Sequence, residues 1–525
     1  MQLAHAMVEI ELKFQIPDAP IAGVRRALAS RGGSVEKVRL QARYFDTVDG
    51  RLARAGLALR MRKEGRARWV QTLKGRGDGL MQRLEHEVLL SAGDAVVIEI
   101  SRHDGTPAGL TLREALGSPG APLVERFATD IRRSRRVVRT RSAAGETAEV
   151  EIALDEGWLL SSAFATPGEG AGIMPAKPMR RRLPVLEIEF ELMAGPPQAL
   201  LDLATRWVRR HGLWLDVRSK AERGHALASG RWPGAVCAQA PLLGRRMTPA
   251  RAFAAMLQSA LAHVLPNAAV VAEATHVDPE HVHQLRVALR RLRTLLSEFG
   301  GAAPGLAVAA EPTLREVFAA LGTVRDRDVI EQTLQPARAA ARAAFAHVHP
   351  TAPSAAAPAP PTAAETVPLR APAFNALLLA LIGVSAAPAG GASQEGASML
   401  ALASQRLSRL HKRVAADAAL FAAHDDEARH ALRKRLKRLR YSLEFVAPLY
   451  ARKPVSRYLS VLKPAQQALG DFNDLVVAEA ALRQQAEPDA FVLGWLAARR
   501  EVLQTLAAKR LASLAKAPRF WKRKG

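Results

Sequence analysis

The chain has 525 residues, of which 49% are hydrophobic and 24% are charged, so it can form two or more packed domains and is not globally disordered. Its single cysteine, Cys237, excludes a disulfide framework and a cysteine-rich zinc module. The 75 basic residues exceed the 50 acidic ones by 25. This excess favours a polyanionic partner, although a chain rich in Ala and Arg can also be basic through composition alone.

The sequence divides into two halves with different periodicity. Residues 7–228 contain short period-2 runs separated by Gly, Pro and Asp turns, which predicts an antiparallel β domain with flanking helices. Residues 229–246 are interpreted as a linker, and from 247 to 519 Leu and Ala recur at helical spacing. Two Ala-, Pro- and Gly-rich stretches, near 349–372 and 385–398, predict flexible inserts. The fold class expected is α+β and multidomain, with an all-α second half.

Charged residues alternate with apolar ones along the predicted strands. Glu9, Glu11 and Lys13 share one strand face, and their apolar neighbours share the other. The same alternation recurs at Arg60 and Arg62, Glu85 and Glu87, Glu149 and Glu151, and Glu187, Glu189 and Glu191. One such strand is usually a half-exposed one with a solvated face.

The like-charged i, i+2 doublets repel one another on an open sheet. A closed barrel with a charged interior resolves the repulsion, because acidic doublets can share divalent ions and basic doublets can hold an anion. Carboxylate oxygens favour Mg²⁺ or Mn²⁺. Phosphoryl transfer uses this mixture of metal ions and basic side chains.

These motifs identify the first half as similar to the CYTH group, the triphosphate tunnel metalloenzymes. The resemblance covers residues 7–228 and rests on ordered blocks: Glu9-x-Glu11-x-Lys13, Tyr44-Phe45-Asp46-Thr47, Leu59-Arg60-x-Arg62, Thr72-Leu73-Lys74, Arg83-x-Glu85-x-Glu87, Arg133, Leu154-Asp155-x-Gly157, Glu187-x-Glu189-x-Glu191 and Ser219-Lys220. It implies an eight-stranded antiparallel tunnel that acts on triphosphates with Mg²⁺ or Mn²⁺.

The resemblance also implies roles for individual residues. The expected metal ligands are Glu9, Glu11, Glu187 and Glu189. The expected catalytic and triphosphate-binding cations are Lys13, Arg60, Arg62, Lys74, Arg83, Arg133 and Lys220. The carboxylates without separately assigned roles are Glu85, Glu87, Asp155 and Glu191.

The helical half contains an internal repeat. The block from His283 to Arg293 aligns without a gap with the block from His430 to Arg440, with basic residues at +3, +7, +8 and +10. Positions 0, +3, +7 and +10 lie on one helix face, which forms a basic stripe in each repeat. The two stripes are His283, Arg286, Arg290 and Arg293, and His430, Arg433, Lys437 and Arg440.

One basic stripe alone is usually a solvated helix face, but two at identical spacing favour an external anion. Asp326, Asp328, Asp471 and Asp474, in a second repeated block, are interpreted as helix caps or partners of the arginines. This half resembles the CHAD family. The resemblance implies a two-repeat helical bundle whose basic groove, formed by the two stripes, binds inorganic polyphosphate.

Three functions remain open on the sequence alone. The first is a cytoplasmic, Mg²⁺- or Mn²⁺-dependent triphosphatase that hydrolyses tripolyphosphate. Under this hypothesis the helical half binds long-chain polyphosphate, and the protein is expected to associate with polyphosphate granules. Thiamine triphosphate or a nucleoside triphosphate is an alternative substrate. The second is a catalytically weak polyphosphate-binding scaffold. The third is nucleic-acid binding through the basic stripes, but these stripes lack the interleaved aromatic residues that are typical of single-strand binders. No membrane insertion is expected, because no run of 18 apolar residues is present.

Overall fold

The structure is a computed structural model of the chain. It describes residues 7–17, 20–29, 34–77, 79–91, 97–117, 120–162, 180–273, 277–344, 363–386 and 398–522. Within these ranges, the side chains of residues 7, 8, 76, 162, 180, 323–329, 342, 344 and 363–365 are not described. The predicted insert residues 349–362 and 387–397 lie outside the described residues. The chain forms two compact units, one of residues 1–235, 268–272 and 369–383, and the other of residues 236–267, 273–368 and 384–525.

The first unit is a closed antiparallel barrel, which confirms the predicted fold class. Its strands are β1 (Met7–Gln15), β2 (Glu36–Asp46), β3 (Ala58–Glu64), β4 (Arg68–Arg76), β5 (Gln82–Leu90), β6 (Val124–Arg141), β7 (Thr147–Ser162), β8 (Arg180–Ala194) and β9 (Trp214–Leu215). The order is β5-β4-β3-β2-β6-β7-β8-β1, and an additional β5–β1 pairing closes the ring of eight. The two-residue β9 pairs with the end of β1.

The charged faces of the strands point into this barrel. Arg133 on β6 reaches Glu189 on β8, and Lys74 on β4 reaches Glu9 on β1, so each pair skips one intervening strand. Side chains two strands apart meet on the concave inner face of a curved sheet. The interior is therefore a charged tunnel, as the alternation predicted.

The apolar strand faces point outward and are covered by helices. These are α1 (Ile21–Ala29), α2 (Arg51–Arg54), α3 (Pro107–Leu116), α4 (Pro197–His211) and α5 (Lys220–Ser229). Phe14 and Phe190 are fully buried on adjacent strands with ring centroids 5.7 Å apart, and Trp207 of α4 packs edge-on to Phe190 at 5.6 Å. The hydrophobic core thus lies between the barrel and its helices.

Gly157 on β7 allows two barrel strands to approach closely. A Cβ atom at this position would lie 2.1 Å from the carbonyl oxygen of Asp130 on β6. We expect Gly157→Ala to lower the free energy of unfolding by about 2 kcal/mol or more, because the strands would have to separate. Urea unfolding measures this. Gly120→Ala is the control, since no heavy atom lies within 4 Å of its added Cβ; equal stability of the two variants would contradict the prediction.

A buried histidine pair supports β5 from outside the tunnel. His86 Nδ1 lies 2.8 Å from His103 Nδ1, and His103 Nε2 lies 3.0 Å from Gln71 Nε2. Gln71 Oε1 accepts a hydrogen bond from Glu99 N, which identifies Gln71 Nε2 as the donor to His103 Nε2. His103 is therefore protonated at Nδ1, and this Nδ1–H donates to His86 Nδ1. Burial lowers the pKa of His86, and burial together with His86 lowers that of His103 to about 4.

This pair predicts acid lability of the first unit. Both histidines are neutral when folded, so their contribution to stability is complete above the unfolded pKa of about 6.5 and is lost as the pH falls towards 4. We expect about 2 kcal/mol of stability to be lost between pH 7.5 and pH 5, since one unit of pKa difference corresponds to about 1.36 kcal/mol. Amide exchange in β4 and β5 at pH 7.5 and 5 measures it. His103→Gln should have a smaller pH dependence, and an unchanged dependence would contradict the assignment.

The second unit is helical. Its main helices are α6 (Pro249–Glu273), α7 (Pro279–Phe299), α8 (Pro304–Ala344), α9 (Ala363–Arg370), α11 (Met399–Ala419), α12 (Asp426–Val446), α13 (Arg452–Arg483) and α14 (Ala490–Ala515). Within the described chain, α6 alone has the length and apolar composition to cross a membrane, and 67% of that stretch is buried inside the protein. This burial is typical of a core helix.

The predicted flexible inserts are wrong where the structure describes them. Helix α9 occupies Ala363–Arg370, and α10 (Pro372–Ala386) begins two residues later. Pro372 opens α10 because a first-turn proline loses no helical hydrogen bond. The apolar run in α10 is buried, with Phe374 and Leu378 at most 2% exposed. Residues 369–383 pack with the first unit, although their sequence position is within the helical half.

Candidate functional site

Helix α5 places two cations in the tunnel. Ser219 caps its first turn, and the side chain of Glu222 returns to the Ser219 amide, so the helix begins at Lys220. Gly224 lets the helix lie against β6, since a Cβ there would be 2.2 Å from the Phe127 ring. Lys220 and Arg223, one turn apart, therefore both point to the barrel interior.

Lys220 lies at the centre of a buried ionic cluster. Its Nζ is 2.7 Å from Asp155 Oδ2 and 2.8 Å from Glu189 Oε1, and it also contacts Glu187. Arg133 forms a two-point ion pair with Asp155, with both N–O distances 2.7 Å, and contacts Glu189 as well. Oxygen atoms of the three carboxylates Asp155, Glu187 and Glu189 lie within 4.8 Å of one another.

The charges in this cluster hold one another ionised. Burial alone would raise the pKa of Glu189, but Lys220 and Arg133 bring it well below its usual value. Burial alone would lower the pKa of Lys220, but Asp155, Glu187 and Glu189 raise it overall. Both groups are therefore charged at neutral pH, so the cluster can exchange its internal ion pairs for an anion and a divalent cation.

A second group of charges lies around Lys74. Its Nζ is 2.6 Å from Glu85 Oε2 and 3.1 Å from Glu9 Oε2. Arg83 lies beside Glu11, with Nε 3.5 Å from Oε1. The pairing of Glu9 with Arg83 across β1 and β5 places these residues at one level of the tunnel.

Strand register determines which glutamates face Glu11. On β8, Glu191 lies directly opposite Glu11, whereas Glu189 is opposite Lys13 and Glu187 is opposite Gln15. Glu189 is thus a diagonal neighbour of Glu11, and Glu187 lies one further step away. Four expected metal ligands are divided between the two groups: Glu9 and Glu11 near Lys74, and Glu187 and Glu189 around Lys220.

Glu191 carries a sign of excess negative charge. Burial raises its pKa to about 7, opposed by Lys74 and reinforced by Glu151, Glu11 and Glu85. A cation bound nearby would lower this pKa and favour the ionised form of Glu191. The oxygen-only donor set at Glu11 and Glu191, like that at Asp155, Glu187 and Glu189, fits a hard divalent ion such as Mg²⁺ or Mn²⁺.

The two arginines of β3 line the wall between these groups. Arg60 Nη2 lies 3.5 Å from Glu85 and 3.7 Å from Glu87, and Arg62 Nη2 lies 3.1 Å from Glu87. Burial lowers the pKa of Arg62, and the nearby Arg60 lowers it further. Two guanidinium groups so close together provide a strong local positive charge for an anion.

Lys13 is held by main-chain oxygen. Its Nζ donates to the carbonyl of Arg218, and burial lowers its pKa although Glu187 opposes that change. The structure thus places the expected metal ligands, the expected cations and the carboxylates without assigned roles on the tunnel wall, whereas Glu149 of the charged alternation is partly exposed and pairs with Arg139. They form connected groups rather than isolated charges.

Several tunnel residues were not found from the sequence. Arg223 is buried and contacts Glu187, and Gln15 donates to Glu187 Oε2 at 3.4 Å and to Asp216 Oδ2 at 3.0 Å. Asp216 in turn accepts from Arg218 at 2.9 Å. The spacing of Lys220 and Arg223 by three residues on a helix was a usable signal for Arg223. Asp216 and Arg218 have no such pattern.

The two basic stripes of the helical unit face a common groove. The stripe residues on α7 and α12 are half-buried, whereas Lys434, Arg435 and Arg438 on the outer side of α12 are exposed. Lys437 is close enough to Arg290 and Arg433 for their charges to act on it. Burial, followed by these two arginines, lowers the pKa of Lys437 to about 6. Basic residues of the two stripes therefore meet around Lys437, and Asp474 is the acidic group that opposes their effect on its pKa.

An aromatic ring forms part of the groove wall. The guanidinium carbons of Arg286, Arg290 and Arg293 lie 4.6, 5.1 and 5.9 Å from the Phe318 ring centroid on α8. Cation–π contacts of this length orient the arginine side chains. Phe318 was not found from the sequence.

Other stripe residues have polar partners within the bundle. Arg293 pairs with Glu311 and Arg440 with Glu444 at 2.7 Å, so the stripes do have acidic partners at their ends. The prediction that acidic residues brace the arginines is confirmed at Asp474, which is 3.3 Å from Arg433. His430 Nδ1 lies 2.6 Å from Asn473 Oδ1. The side chains of Asp326 and Asp328 lie outside the description.

Comparison with known proteins assigns both halves. The CYTH domain model matches residues 7–225, and the CHAD domain model matches residues 255–483. An uncharacterized protein of Mycobacterium tuberculosis is 30% identical over 497 residues, covering 91% of this chain and 89% of its own. An inorganic triphosphatase of Haemophilus influenzae is 27% identical over 194 residues, 35% of this chain and 45% of that protein.

Among solved structures, the CHAD domain from the plant Ricinus communis covers 54% of this chain and 98% of its own, at 28% identity and a TM-score of 0.43. The barrel with its charged interior lies within the CYTH match, and the two basic stripes lie within the CHAD match. The chain therefore belongs to the proteins that join an N-terminal CYTH domain to a CHAD domain.

Proposed function

We propose that the protein is a metal-dependent inorganic triphosphatase that hydrolyses tripolyphosphate to pyrophosphate and phosphate in the CYTH tunnel. The observation that carries the proposal is the closed barrel with interleaved charges inside it. The interior is lined by the expected cations Lys13, Arg60, Arg62, Lys74, Arg83, Arg133 and Lys220, together with Arg223. It is also lined by the carboxylates Glu9, Glu11, Glu85, Glu87, Asp155, Glu187, Glu189 and Glu191.

This balance is selective for a polyanion accompanied by divalent cations. A triphosphate alone would add negative charge to an interior that already contains many carboxylates, and metal ions alone would be repelled by the cations there. If both entered, phosphate oxygens would take the place of carboxylates at Arg133 and Lys220, and Asp155, Glu187 and Glu189 would then be able to hold a metal ion. Bound Mg²⁺ or Mn²⁺ would neutralise phosphate oxygens and promote attack by water.

The chain's own residues would bind and orient the substrate. Arg60 and Arg62 would hold one terminal phosphoryl group and Arg133 and Lys220 would hold another part of the phosphate chain, which aligns it along the tunnel. In the reaction, a water oxygen forms a bond to a terminal phosphorus while the bond from that phosphorus to the bridging oxygen breaks. One proton is released, and the products are pyrophosphate and phosphate.

The name of the Haemophilus influenzae relative supports inorganic triphosphate over other triphosphates. The test is to compare kcat/KM for tripolyphosphate, ATP and thiamine triphosphate with the full-length protein under identical metal conditions. We expect tripolyphosphate to exceed the other two by at least about tenfold, since the described wall offers charge along a chain of phosphates. A preference for ATP or thiamine triphosphate would transfer the proposal to that alternative substrate.

For the CHAD half, we propose binding of long-chain polyphosphate in the groove of α7 and α12, with association of the protein with cytoplasmic polyphosphate granules as the expected consequence. The half-buried, facing stripes favour a polymer of closely spaced anionic groups. A phosphate chain beside Lys437 would favour the charged form of this amine, which burial and the neighbouring arginines disfavour.

A further inference from the structure

The segment after α4 supports two tunnel cations through its main chain. Lys13 donates to the carbonyl of Arg218, and Arg83 Nη2 donates to the carbonyl of Val217 at 3.3 Å. The amide of Asp216 donates to the carbonyl of Lys13 at 3.0 Å. The path of residues 214–218 therefore determines where these two ammonium and guanidinium groups lie.

This segment has little support from the barrel itself. Strand β9 has two residues, which pair with Phe14 and Gln15 of β1, and no strand among the described residues pairs with its other edge. A two-residue strand is marginal without further contacts. The edge amide of Leu215 is a buried donor that needs a partner.

Asn375 of α10 provides that partner. Its side chain is 1% exposed, and Oδ1 accepts from Leu215 N at 2.8 Å. Its Nδ2 donates to the carbonyls of Leu369 and Ala371, both at 3.0 Å. The amide orientation is thereby determined by three hydrogen bonds.

Arg370 also contacts this segment. Its guanidinium lies 5.6 Å from the Trp214 ring centroid, and its Nε donates to the carbonyl of Ala272 at 2.7 Å. At the far end of α10, Gly383 lies close to α4, where an added Cβ would be 3.1 Å from Gln198 Oε1. Residues 369–383 are part of the compact CYTH unit, although the CHAD match spans them.

We propose that Asn375 is a positioning residue for the tunnel: by holding Leu215 it fixes the carbonyls that orient Lys13 and Arg83. Since its effect is on substrate binding, the proposal rests on the proposed triphosphatase function. It follows that the CYTH tunnel takes part of its support from a helix encoded within the CHAD half.

A matched control exists in the other unit. Asn267 is fully buried, accepts from Val236 N at 3.1 Å and donates to the carbonyls of Val236 and His263 at 2.9 and 2.8 Å. Its hydrogen bonding is equivalent to that of Asn375, but its partners Val236 and His263 lie outside residues 213–218. A purely structural role for Asn375 predicts that the two alanine variants behave alike.

The experiment compares Asn375→Ala and Asn267→Ala in the full-length protein at a temperature where both are folded. We expect Asn375→Ala to raise KM for tripolyphosphate about tenfold with a smaller change in kcat, and to accelerate amide exchange in residues 213–218. Asn267→Ala should change neither. Arg370→Ala loosens the same strand more mildly and should raise KM two- to threefold, so it serves if Asn375→Ala does not fold.

An unchanged KM and unchanged exchange in residues 213–218 for both Asn375→Ala and Arg370→Ala would overturn the proposal. If the wild-type protein hydrolyses no triphosphate, the proposed function fails. The exchange comparison, and the affinity for tripolyphosphate with Mg²⁺ measured by calorimetry, then still test the link from Asn375 to the tunnel.

Discussion

The Glu9→Gln/Glu11→Gln variant is expected to lose at least about 100-fold in kcat/KM for tripolyphosphate, which is about 2.7 kcal/mol of transition-state stabilisation. Glu9 contacts Lys74, while Glu11 contacts Arg83 and lies opposite Glu191. The amides keep the shape of the side chains but remove two charges from the wall that would hold a divalent ion. Phosphate release at saturating Mg²⁺ and Mn²⁺ measures the loss.

The control removes the same charge elsewhere on the barrel. Glu125 and Glu149 are more than 40% exposed and pair with the exposed Arg43 and Arg139. Glu125→Gln/Glu149→Gln should retain wild-type turnover, and both double variants should bind long-chain polyphosphate as the wild type does. Turnover retained in Glu9→Gln/Glu11→Gln would remove these two glutamates from the metal site.

A charge reversal in the CHAD groove is expected to abolish most polyphosphate binding. Arg290→Glu/Lys437→Glu places two carboxylates between the facing stripes of α7 and α12. It should weaken the affinity for polyphosphate about 100-fold or more, because negative charges at the centre of the groove repel the negatively charged ligand. Turnover of tripolyphosphate should be unchanged, since both residues belong to the helical unit. Titration of long-chain polyphosphate at fixed salt measures the affinity.

A lower total positive charge would by itself weaken polyphosphate binding, so the control variant must also replace two basic residues by glutamate. Arg413 and Arg510 are exposed residues of α11 and α14, outside the two stripes. Arg413→Glu/Arg510→Glu should reduce affinity by less than about threefold at 0.15 M salt, where charges beyond about 8 Å are screened. An equal loss of affinity in the two variants would mean that polyphosphate binding depends on the net charge of the protein and not on the groove.

The tunnel was predictable because its signal is local. Period-2 alternation of charged and apolar residues fixes the two faces of each strand, and like-charge doublets such as Glu9 and Glu11 exclude an open sheet. The internal repeat likewise predicted that Arg290 and Lys437 lie on helix faces of the same kind. Both patterns are contained in runs of about ten residues.

Features that depend on distant pairing could not be predicted. The register that places Glu191, not Glu187, opposite Glu11 joins strands some 180 residues apart, and a shift of two residues would preserve every face. Strand β9 is too short to have a periodic pattern. Helix α10 lies between stretches of biased composition, and only its packing against the CYTH unit explains its apolar face.

The most direct test of the central claim is phosphate release from tripolyphosphate by the full-length wild-type protein, with Mg²⁺ or Mn²⁺ and then with EDTA. We predict turnover that requires the divalent ion, stops with EDTA and returns when the metal is restored, with pyrophosphate and phosphate formed in equal amounts. No turnover under any metal condition, together with tight binding of long-chain polyphosphate, would contradict the claim and make the protein a polyphosphate-binding scaffold.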